Sequence, residues 1–384
     1  YLADSGERKA VSRNQERGQE RFRESGDGKR YMESLKRKDM ENICREQAIP
    51  WERLRGKSIF ITGATGLIGK TLVHALQHKN RMDHLNCRIL VYVRNRKKAE
   101  RLFGGESAEL RIYTGDITEK PTIGEPVHFI VHGASQTSSG AFVKEPVETI
   151  HTSVTGTDQM LKLAAEKKVE GFLYLSSMEV YGAPETDEKI REDHSTDLDP
   201  MSVRSSYPES KRMCECLCAS YCREYQVPAR ILRLTQTFGP GVDYHDGRIF
   251  AEFARCVIEE RDIILHTEGK TKRSYLYTAD AVTAILTVLL NGRDQEAYNA
   301  ANEESYCSIY EMACMVAETF GGDKTRVRIR IPQDLEKFGY APTLHMNLDT
   351  EKLRELGWKP KYSLDQCFAQ MIQDMKNQEE APGA

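Results

Sequence analysis

An apolar run, a glycine-rich turn and an amphipathic segment follow one another within residues 57–77, as KSIFITG, GATGLIG and LIGKTLVHALQ. The β-rich run and the helical periodicity after it predict a strand that turns directly into a helix. At such a turn, Gly63 and Gly66 let a pyrophosphate approach backbone N–H groups at the positive helix end, and Gly69 permits close helix–strand packing. We therefore expect a dinucleotide site. Its residues are Gly63, Thr65, Gly66, Leu67, Ile68 and Gly69.

Similar strand-like runs recur along the chain and alternate with helical patterns. The runs are RILVYV (88–93), LRIY (110–113), VHFIVH (127–132), GFLYLS (171–176) and ARILRL (229–234). Helical patterns lie between several of them, notably at 156–168 and 210–225. Strands separated by helices predict an α/β fold with a doubly wound parallel sheet, a Rossmann domain.

Composition limits the classes of partner. The chain has 384 residues, of which 39% are hydrophobic, and a net charge of -3. This charge gives no general reason to bind nucleic acid or an anionic membrane, so we expect a small-molecule partner. No apolar run approaches the roughly 18 residues of a membrane helix, which indicates the cytoplasm. The ten cysteines fit reduced thiols better than disulfides.

Basic and acidic residues follow the second and third strand-like runs. Arg94 begins the basic sequence RNRKK, which suits the extra phosphate of NADP, although an ordinary basic loop is an equal alternative. Asp116 is placed to accept from an adenine amino group, and Ile117 to pack on the adenine ring. A turn-forming role for Asp116 is the alternative.

The sequence YPESK supplies a candidate acid–base pair, Tyr207 and Lys211. A phenol is a poor base at neutral pH, but an ammonium one helical turn away and an oxidised nicotinamide stabilise the phenolate. Tyr207 can then remove a hydroxyl proton while hydride leaves the same carbon. A hydroxyl residue between the glycine turn and this pair, Ser177, strengthens the interpretation.

Between about Lys57 and Tyr362 the chain resembles the extended short-chain dehydrogenase/reductases, in particular the nucleotide-sugar epimerases, dehydratases and decarboxylases. The motifs that carry the resemblance are GATGLIG, GDI, VHGAS, SSMEVYG, YPESK, RSYLYTADAV and LRELGWKPK. The resemblance implies a tightly bound, recycled NAD or NADP near Ala134 and Ser135. It places Ser177 and Tyr207 on the sugar hydroxyl and Lys211 on the nicotinamide ribose. It also implies a homodimer that packs through the helix after YPESK.

Within that family, HDGRIF and KRSYLYTADAV look most like UDP-glucuronate decarboxylases, also called UDP-xylose synthases. This likeness implies substrate contacts from Gln236 and Arg248, and from Arg273 at the diphosphate of a UDP-linked sugar. Two positions depart from the pattern. Met178 stands where those enzymes usually have Ser, and His345 stands near the position of an Arg that helps to hold a carboxylate.

Composition and the resemblance together predict three parts in the chain. Residues 1–50 carry 12 Lys or Arg and 10 Asp or Glu, which favours a solvated amino-terminal extension. We expect the Rossmann domain at 51–240, with 271–298 returning to it. The smaller carboxyl-terminal lobe, at 241–270 and 299–384, is expected to bind the nucleotide sugar.

Met178 and Glu179 bear on the choice of reaction. Sugar 4,6-dehydratases usually have Asp-Glu there, because loss of the C6 hydroxyl calls for an acid, and Met cannot donate a proton. Decarboxylation after C4 oxidation needs no such acid, so we predict decarboxylation of a UDP-hexuronic acid, with Glu179 as a base or water-holding group. A UDP-sugar 4-epimerase is the alternative, and Met178 either contacts substrate or is packing.

Two further interpretations concern the acid–base residues and the cysteines. A non-catalytic NADP-binding redox sensor is an alternative of another class, but it has no need of the Ser177, Tyr207 and Lys211 set. The helical cysteines at 214, 218 and 222 fall on one face, where packing is commoner than metal binding. We therefore expect no metal site.

Overall fold

The computed structural model describes residues 37–136, 139–332 and 343–379. The strands of these residues are β1 (Ser58–Thr62), β2 (Arg88–Val93), β3 (Leu110–Thr114), β4 (Phe129–His132), β5 (Gly171–Ser177), β6 (Ala229–Leu234), β7 (Gln236–Phe238), β8 (Ile263–Leu265), β9 (Lys272–Tyr277), β10 (Ala297–Ala300), β11 (Asn302–Ser308), β12 (Val327–Ile329) and β13 (His345–Met346). The helices are α1 (37–44), α2 (Leu67–Asp83), α3 (Arg96–Phe103), α4 (Ser139–Lys144), α5 (Pro146–Lys167), α6 (Ser206–Tyr225), α7 (Ile249–Ile258), α8 (Thr278–Asn291), α9 (Ile309–Val316), α10 (Glu351–Arg354) and α11 (Leu364–Glu379). Short 3₁₀ turns lie at Trp51–Leu54, Met178–Tyr181 and Val203–Ser205, and a π-helical turn at Ala317–Gly321 continues α9.

A seven-stranded parallel sheet forms the centre of the molecule, in the order β10-β6-β5-β4-β1-β2-β3. On β1, Ile59 and Ile61 join the apolar cluster that includes α2 and α8, whereas Phe60 joins the cluster of α5 and α6. A strand buried on both faces requires the continuous apolar run seen in the sequence. The predicted doubly wound Rossmann architecture is confirmed.

The order of the strands reverses beside β1. Strands β2 and β3 lie on one side of β1, whereas β4 and the later strands lie on the other side. In open parallel sheets, ligands bind at the carboxyl ends of the strands where this reversal occurs. The ends of β1, β4 and β5 lead into the glycine turn, the VHGAS segment and Ser177. The topology therefore brings the predicted cofactor and catalytic residues to one edge.

A smaller sheet carries two of the predicted substrate residues, Gln236 on β7 and Arg273 on β9. Its order is β11-β9-β13, with β7 pairing along β9, while β8 and β12 form a separate two-stranded pair. The segment that returns to the central sheet consists of α8 and β10. Lys272–Tyr277 pairs with the smaller sheet instead, although we expected the return to begin at 271.

The end of the charged amino-terminal segment packs against the body of the protein. Ile43, Ile49, Trp51 and Leu54 are buried in the cluster that contains α2 and α8. For residues 37–50 this differs from the expected solvated extension, because the few apolar residues among the charges lie together on the core. Residues 1–36 fall outside the described chain.

Within the described ranges, no helix has the length and apolar character needed to cross a membrane.

Candidate active site

The glycine turn leaves no room for side chains. Gly63 has a φ of +71°, and a Cβ there would lie 2.7 Å from the Gly133 carbonyl carbon. A Cβ on Gly69 would lie 2.3 Å from the Gly63 carbonyl oxygen, so the first turn of α2 packs directly on the turn that precedes it. Gly66 caps α2 and donates its N–H to the Gly63 carbonyl at 3.1 Å. Bare backbone beside a helix amino terminus fits the pyrophosphate of a dinucleotide.

Thr62 joins the glycine turn to the segment after β4. Its Oγ1 accepts the N–H groups of Gly133 at 3.2 Å and Ala134 at 3.1 Å. Ser135 follows and donates its hydroxyl to the Gln136 carbonyl at 3.2 Å. The structure therefore brings Ala134 and Ser135 beside the turn, as predicted for a cofactor site.

Three predicted adenosine contacts lie at the ends of β2 and β3. Arg94 is exposed. The Asp116 carboxylate accepts from the Thr118 hydroxyl at 2.7 Å and N–H at 2.9 Å, and these bonds, with a smaller contribution from Arg94, lower its pKa. Ile117 is 8% exposed. The turn-forming role of Asp116 is therefore present, and its adenine contact stays a prediction.

Arg96 differs from Arg94 although both belong to the basic sequence. Its guanidinium donates to Glu100 at 2.9 Å, to Glu106 at 2.8 Å and to the Ile112 carbonyl at 2.8 Å. These contacts fix α3 against β3. Because the guanidinium of Arg96 is occupied by these three contacts, Arg94 is the better candidate for binding a cofactor phosphate.

Tyr207 and Ser177 meet across the sheet edge. Tyr207 lies in the first turn of α6 and Ser177 ends β5, and the Ser177 hydroxyl is close enough to the phenol to lower its pKa. Burial raises the pKa of the Tyr207 phenol, and the negative charge of Glu179 raises it further, whereas Ser177 and Arg204 oppose the rise. The phenol is accordingly protonated in the free protein, and base action requires added positive charge.

Lys211 lies one turn further along α6 and is 3% exposed. Its Nζ donates to the Leu175 carbonyl at 2.8 Å and lies 5.6 Å from the centroid of the Tyr207 ring. Burial lowers the pKa of this ammonium to about 8. The predicted set of Ser177, Tyr207 and Lys211 is therefore brought together.

Met178 is packed in the interior. It is 4% exposed, and its sulfur accepts the hydroxyl of Thr235 at 3.3 Å. Its other neighbours form a small apolar cluster with Val180, Tyr181, Ile190, Ala301, Met346 and Leu348. These contacts account for Met178 as a packing residue, and its contact with substrate stays a prediction.

Glu179 stays partly open and lies beside a residue that the sequence analysis missed. The side chains of Glu179 and Arg204 are 31% and 40% exposed, and Glu179 Oε2 lies 3.4 Å from Arg204 Nη2. Arg204 precedes Tyr207 by three residues. This proximity to the YPESK motif is the sequence feature that could have identified Arg204 as a candidate site residue. The guanidinium carbon lies 5.3 Å from the centroid of the Phe142 ring.

Phe142 was also missed. Its ring stacks on that of Tyr207, with centroids 4.2 Å apart and an interplanar angle of 13°. The two residues are 65 positions apart in the sequence, so no local pattern predicts the contact. The stack shields one face of the phenol from water.

A buried polar chain runs behind the site from Thr62 to Cys214. His132 Nδ1 lies 2.7 Å from Thr62 Oγ1, and His132 Nε2 lies 3.1 Å from Thr157 Oγ1, which in turn lies 3.2 Å from Cys214 Sγ. The Thr62 oxygen already accepts two backbone N–H groups, so its hydroxyl donates to Nδ1 and the imidazole proton resides on Nε2. Burial, aided by the charge of Lys211, lowers the pKa of His132 to about 3.

Among the residues considered for substrate binding, some have buried polar atoms that lack a partner in the described part of the chain, and others are paired with an acidic side chain. Gln236 and Arg273 lie on the neighbouring strands β7 and β9, and the Gln236 Oε1 and Arg273 Nε atoms are buried without a hydrogen-bond partner among the described residues. Arg248 is held by Asp246, with Nη2 and Nε at 2.6 and 3.0 Å from its carboxylate. His345 Nδ1 lies 3.1 Å from an Asp187 oxygen.

The helical cysteines lie in the packing between α6 and the sheet. Cys214 and Cys218 are buried, and burial raises the pKa of the Cys218 thiol. In the described ranges no three His, Cys, Asp or Glu side chains cluster in a way that suits a metal ion.

Comparison with known proteins identifies the family. The model of the NAD dependent epimerase/dehydratase family matches residues 59–301, which include the glycine turn, Ser177, Tyr207 and Lys211. The chain belongs to this family. The predicted family resemblance is confirmed, and the catalytic roles of Ser177, Tyr207 and Lys211 in this epimerase/dehydratase homologue stay predictions.

Relatives of this epimerase/dehydratase homologue include different enzymes. It is 30% identical to UDP-glucuronic acid decarboxylase 2 of Arabidopsis thaliana over 84% of this chain and 69% of that protein. It is 27% identical to human dTDP-D-glucose 4,6-dehydratase over 84% of this chain and 91% of the relative. The crystal structure of UDP-glucose 4-epimerase from Thermotoga maritima superposes with a TM-score of 0.70 at 21% identity, covering 84% of this chain and 99% of the other. This last likeness concerns the fold.

Proposed function

We propose that the protein is a UDP-glucuronate decarboxylase that oxidises C4 of the sugar, releases carbon dioxide and forms a UDP-pentose. The observation that carries the proposal is the likeness to UDP-glucuronic acid decarboxylases at about 30% identity over most of the chain, combined with an intact Ser177, Tyr207 and Lys211 set. The decarboxylase relatives also include a protein 31% identical over 85% of this chain.

The cofactor is held along the carboxyl edge of the sheet. The bare backbone at Gly63, Gly66 and Gly69 fits the pyrophosphate, and Ala134 and Ser135 border the path toward Tyr207. NAD, when bound there, takes hydride from C4 of the sugar and later returns it. Lys211 contacts the nicotinamide ribose and stabilises negative charge on the phenol.

Tyr207 removes the proton from the C4 hydroxyl. Ser177 lies beside the phenol and provides a second group for the same sugar oxygen. The Lys211 ammonium and the positive charge of the oxidised nicotinamide supply the stabilisation that the buried phenol lacks in the free protein. The stack with Phe142 keeps water away from the reacting phenol.

Oxidation makes the C4 carbonyl and the C5 carboxylate a β-keto acid. The C5–carboxylate bond breaks, carbon dioxide leaves, and the bonding electrons pass to the C4 oxygen as an enolate. A proton then adds to C5. Either the Glu179 carboxyl group or a water that Glu179 holds delivers this proton. Return of hydride to C4 completes the pentose, and Tyr207 gives its proton back to the C4 oxygen.

Met178 supports decarboxylation over dehydration. Loss of a C6 hydroxyl needs an acid at this position, and a thioether that accepts from Thr235 has no proton to give. Gln236 and Arg273, with unpartnered buried polar atoms on adjacent strands, are proposed to bind the substrate, with Arg273 at the diphosphate. Arg248 is proposed to bind the substrate in the carboxyl-terminal lobe after its contact with Asp246 is broken.

The test incubates the NAD-loaded protein with UDP-glucuronate and with UDP-glucose. Carbon dioxide release and product stereochemistry are followed by NMR, with Tyr207→Phe as the inactive control that retains bound nucleotide. Carbon dioxide with a five-carbon sugar is the expected result. Inversion at C4 with all carbons retained contradicts the proposal in favour of a 4-epimerase, and a 4-keto-6-deoxy product contradicts the argument from Met178.

We also propose that the protein acts as a homodimer in the cytoplasm. Exposed apolar side chains lie on α5, at Val147 and Ile150, and on the adjacent α6, at Met213 and Tyr225. Exposed apolar residues on two neighbouring helices favour a protein interface, and a second copy of this chain is the proposed partner.

A further inference from the structure

The Lys211 ammonium occupies an environment that disfavours its charge. It is 3% exposed, and its Nζ donates a hydrogen bond to the Leu175 carbonyl at 2.8 Å. Burial of an ammonium is costly unless another group compensates it, which agrees with the lowered pKa of about 8. The proposed oxidation step nevertheless requires a charged Lys211 beside Tyr207.

The nearby acidic groups offer little direct compensation. Glu215 on α6 is bonded to Arg233 at 2.7 and 3.0 Å and to the Ser176 hydroxyl at 2.6 Å. On the same helix, burial raises the pKa of the Cys218 thiol, and Tyr207 is likewise protonated in the free protein. Cys214 donates its thiol to a backbone carbonyl. His132, on β4, is neutral at physiological pH because its pKa is about 3.

Tyr174 presents a different kind of compensation. The centroid of its ring lies 4.7 Å from the Lys211 Nζ, closer than the ring of Tyr207 at 5.6 Å. A desolvated ammonium over an aromatic face gains a cation–π attraction that is stronger than at exposed sites. The ring therefore provides electrostatic stabilisation that does not depend on a carboxylate.

The Tyr174 ring is held in this orientation. It lies on β5 and is 2% exposed, and its centroid lies 5.7 Å from that of the His132 ring. A fixed ring costs little reorganisation when the substrate binds. We propose that Tyr174 is a positioning residue whose ring face holds the Lys211 ammonium beside Tyr207 and keeps it charged during the oxidation step. The inference rests on the proposed function only for the role of Lys211 in that step.

A direct titration tests the contact independently of activity. Protein labelled with ¹³C at the lysine Cε is titrated by NMR, and the Lys211 signal is assigned by its loss in Lys211→Met. Tyr174→Leu is expected to lower the pKa of Lys211 by about one unit, since the cation–π contact is lost. Tyr174→Phe retains the ring and is expected to leave that pKa nearly unchanged. Tyr174→Met, which fills the space without a π face, substitutes for Tyr174→Leu if that variant does not fold.

Phe172→Leu is the matched control. Phe172 lies two residues earlier on β5, faces the same cluster and is fully buried, so its truncation opens a comparable space away from Lys211. An unchanged Lys211 pKa in Tyr174→Leu, or an equal fall in Phe172→Leu, overturns the inference.

Turnover separates this inference from the proposed function. With UDP-glucuronate, the alkaline limb of the kcat–pH profile is expected to move to lower pH in Tyr174→Leu and to return in Tyr174→Phe. If the wild-type protein does not decarboxylate UDP-glucuronate, the proposed function fails, while the NMR titration still decides whether the ring holds the ammonium.

Discussion

The carboxylate of Asp39 binds the phenol of Tyr277, from which it is 238 positions away, with Oδ2 accepting the hydroxyl at 2.6 Å. Its Oδ1 accepts the hydroxyl of Tyr362 at 2.9 Å, and Asp39 is 7% exposed. One carboxylate thus connects the amino-terminal segment to β9 and to the chain before α11. The segment is part of the packed structure from this residue onward.

Asp39→Ala should reduce the free energy of unfolding by about 1–3 kcal/mol, because the phenol of Tyr362 loses its hydrogen-bond acceptor and that of Tyr277 keeps only Gln370 Oε1 among the described residues. Asp39→Asn retains one acceptor oxygen and should cost less. Urea unfolding at pH 7 measures both, with exposed Lys38→Ala as the control. Equal stability of Asp39→Ala and Lys38→Ala would show that the segment is not anchored there.

The sequence predicted those strands and helices that a contiguous sequence pattern encodes. RILVYV coincides with β2, and KSIFITG contains β1, because the apolar runs of a two-sided parallel sheet are continuous. Ser177 and Tyr207 were predicted together because Tyr207 lies in the YPESK motif and Ser177 is a hydroxyl residue between the glycine turn and that motif. Local pattern and topology were sufficient for these residues.

Contacts between distant segments were not predictable in this way. The stack of Phe142 on Tyr207 and the bonds of Asp39 depend on how separate elements pack, which no periodicity encodes. The charge density of residues 37–50 suggested solvent exposure, whereas a few buried apolar residues decided the placement. For Met178 the sequence left substrate contact and packing open, and the bond from Thr235 favours packing.

Stability should depend on pH through His132. Its folded-state pKa of about 3 lies below the ordinary 6.5, so between these values the unfolded chain binds a proton at His132 and the folded chain does not. The free energy of unfolding is therefore highest above pH 6.5 and falls as the pH falls toward 3. Between pH 7 and pH 5 this loss amounts to about 2 kcal/mol. Urea unfolding at both values should show that His132→Gln lacks this part of the dependence.

The comparison isolates His132 because all other titrating groups are shared by the two proteins. Burial raises the pKa of Asp280 to about 7 and that of Asp39, and both groups act with the opposite sign, losing stability as pH rises. An identical pH dependence in wild-type protein and His132→Gln would contradict the neutral, buried imidazole.

Cofactor preference should depend on Arg94. If its guanidinium contacts the extra phosphate of NADP, Arg94→Asp should weaken NADP binding relative to NAD by roughly tenfold or more. Lys168→Asp, with the same charge change at the carboxyl end of α5, is the control, because Lys168 is also exposed. Affinities are measured by calorimetry on protein freed of nucleotide, and the cofactor released by acid is identified. Release of NAD together with unchanged relative affinities would remove the phosphate-binding role of Arg94.

Assembly should depend on the exposed face of α5. Val147 is 73% exposed and Ile150 lies one turn further on, at 46%. Val147→Asp places a charge in the proposed apolar interface and should convert a dimer into a monomer, because an unpaired charge is costly to bury there. Light scattering coupled to size exclusion measures the mass, and exposed Lys168→Asp, at the far end of α5, is the control. A wild-type monomer, or a dimer that Val147→Asp leaves intact at equal concentration, would exclude this helix pair as the interface.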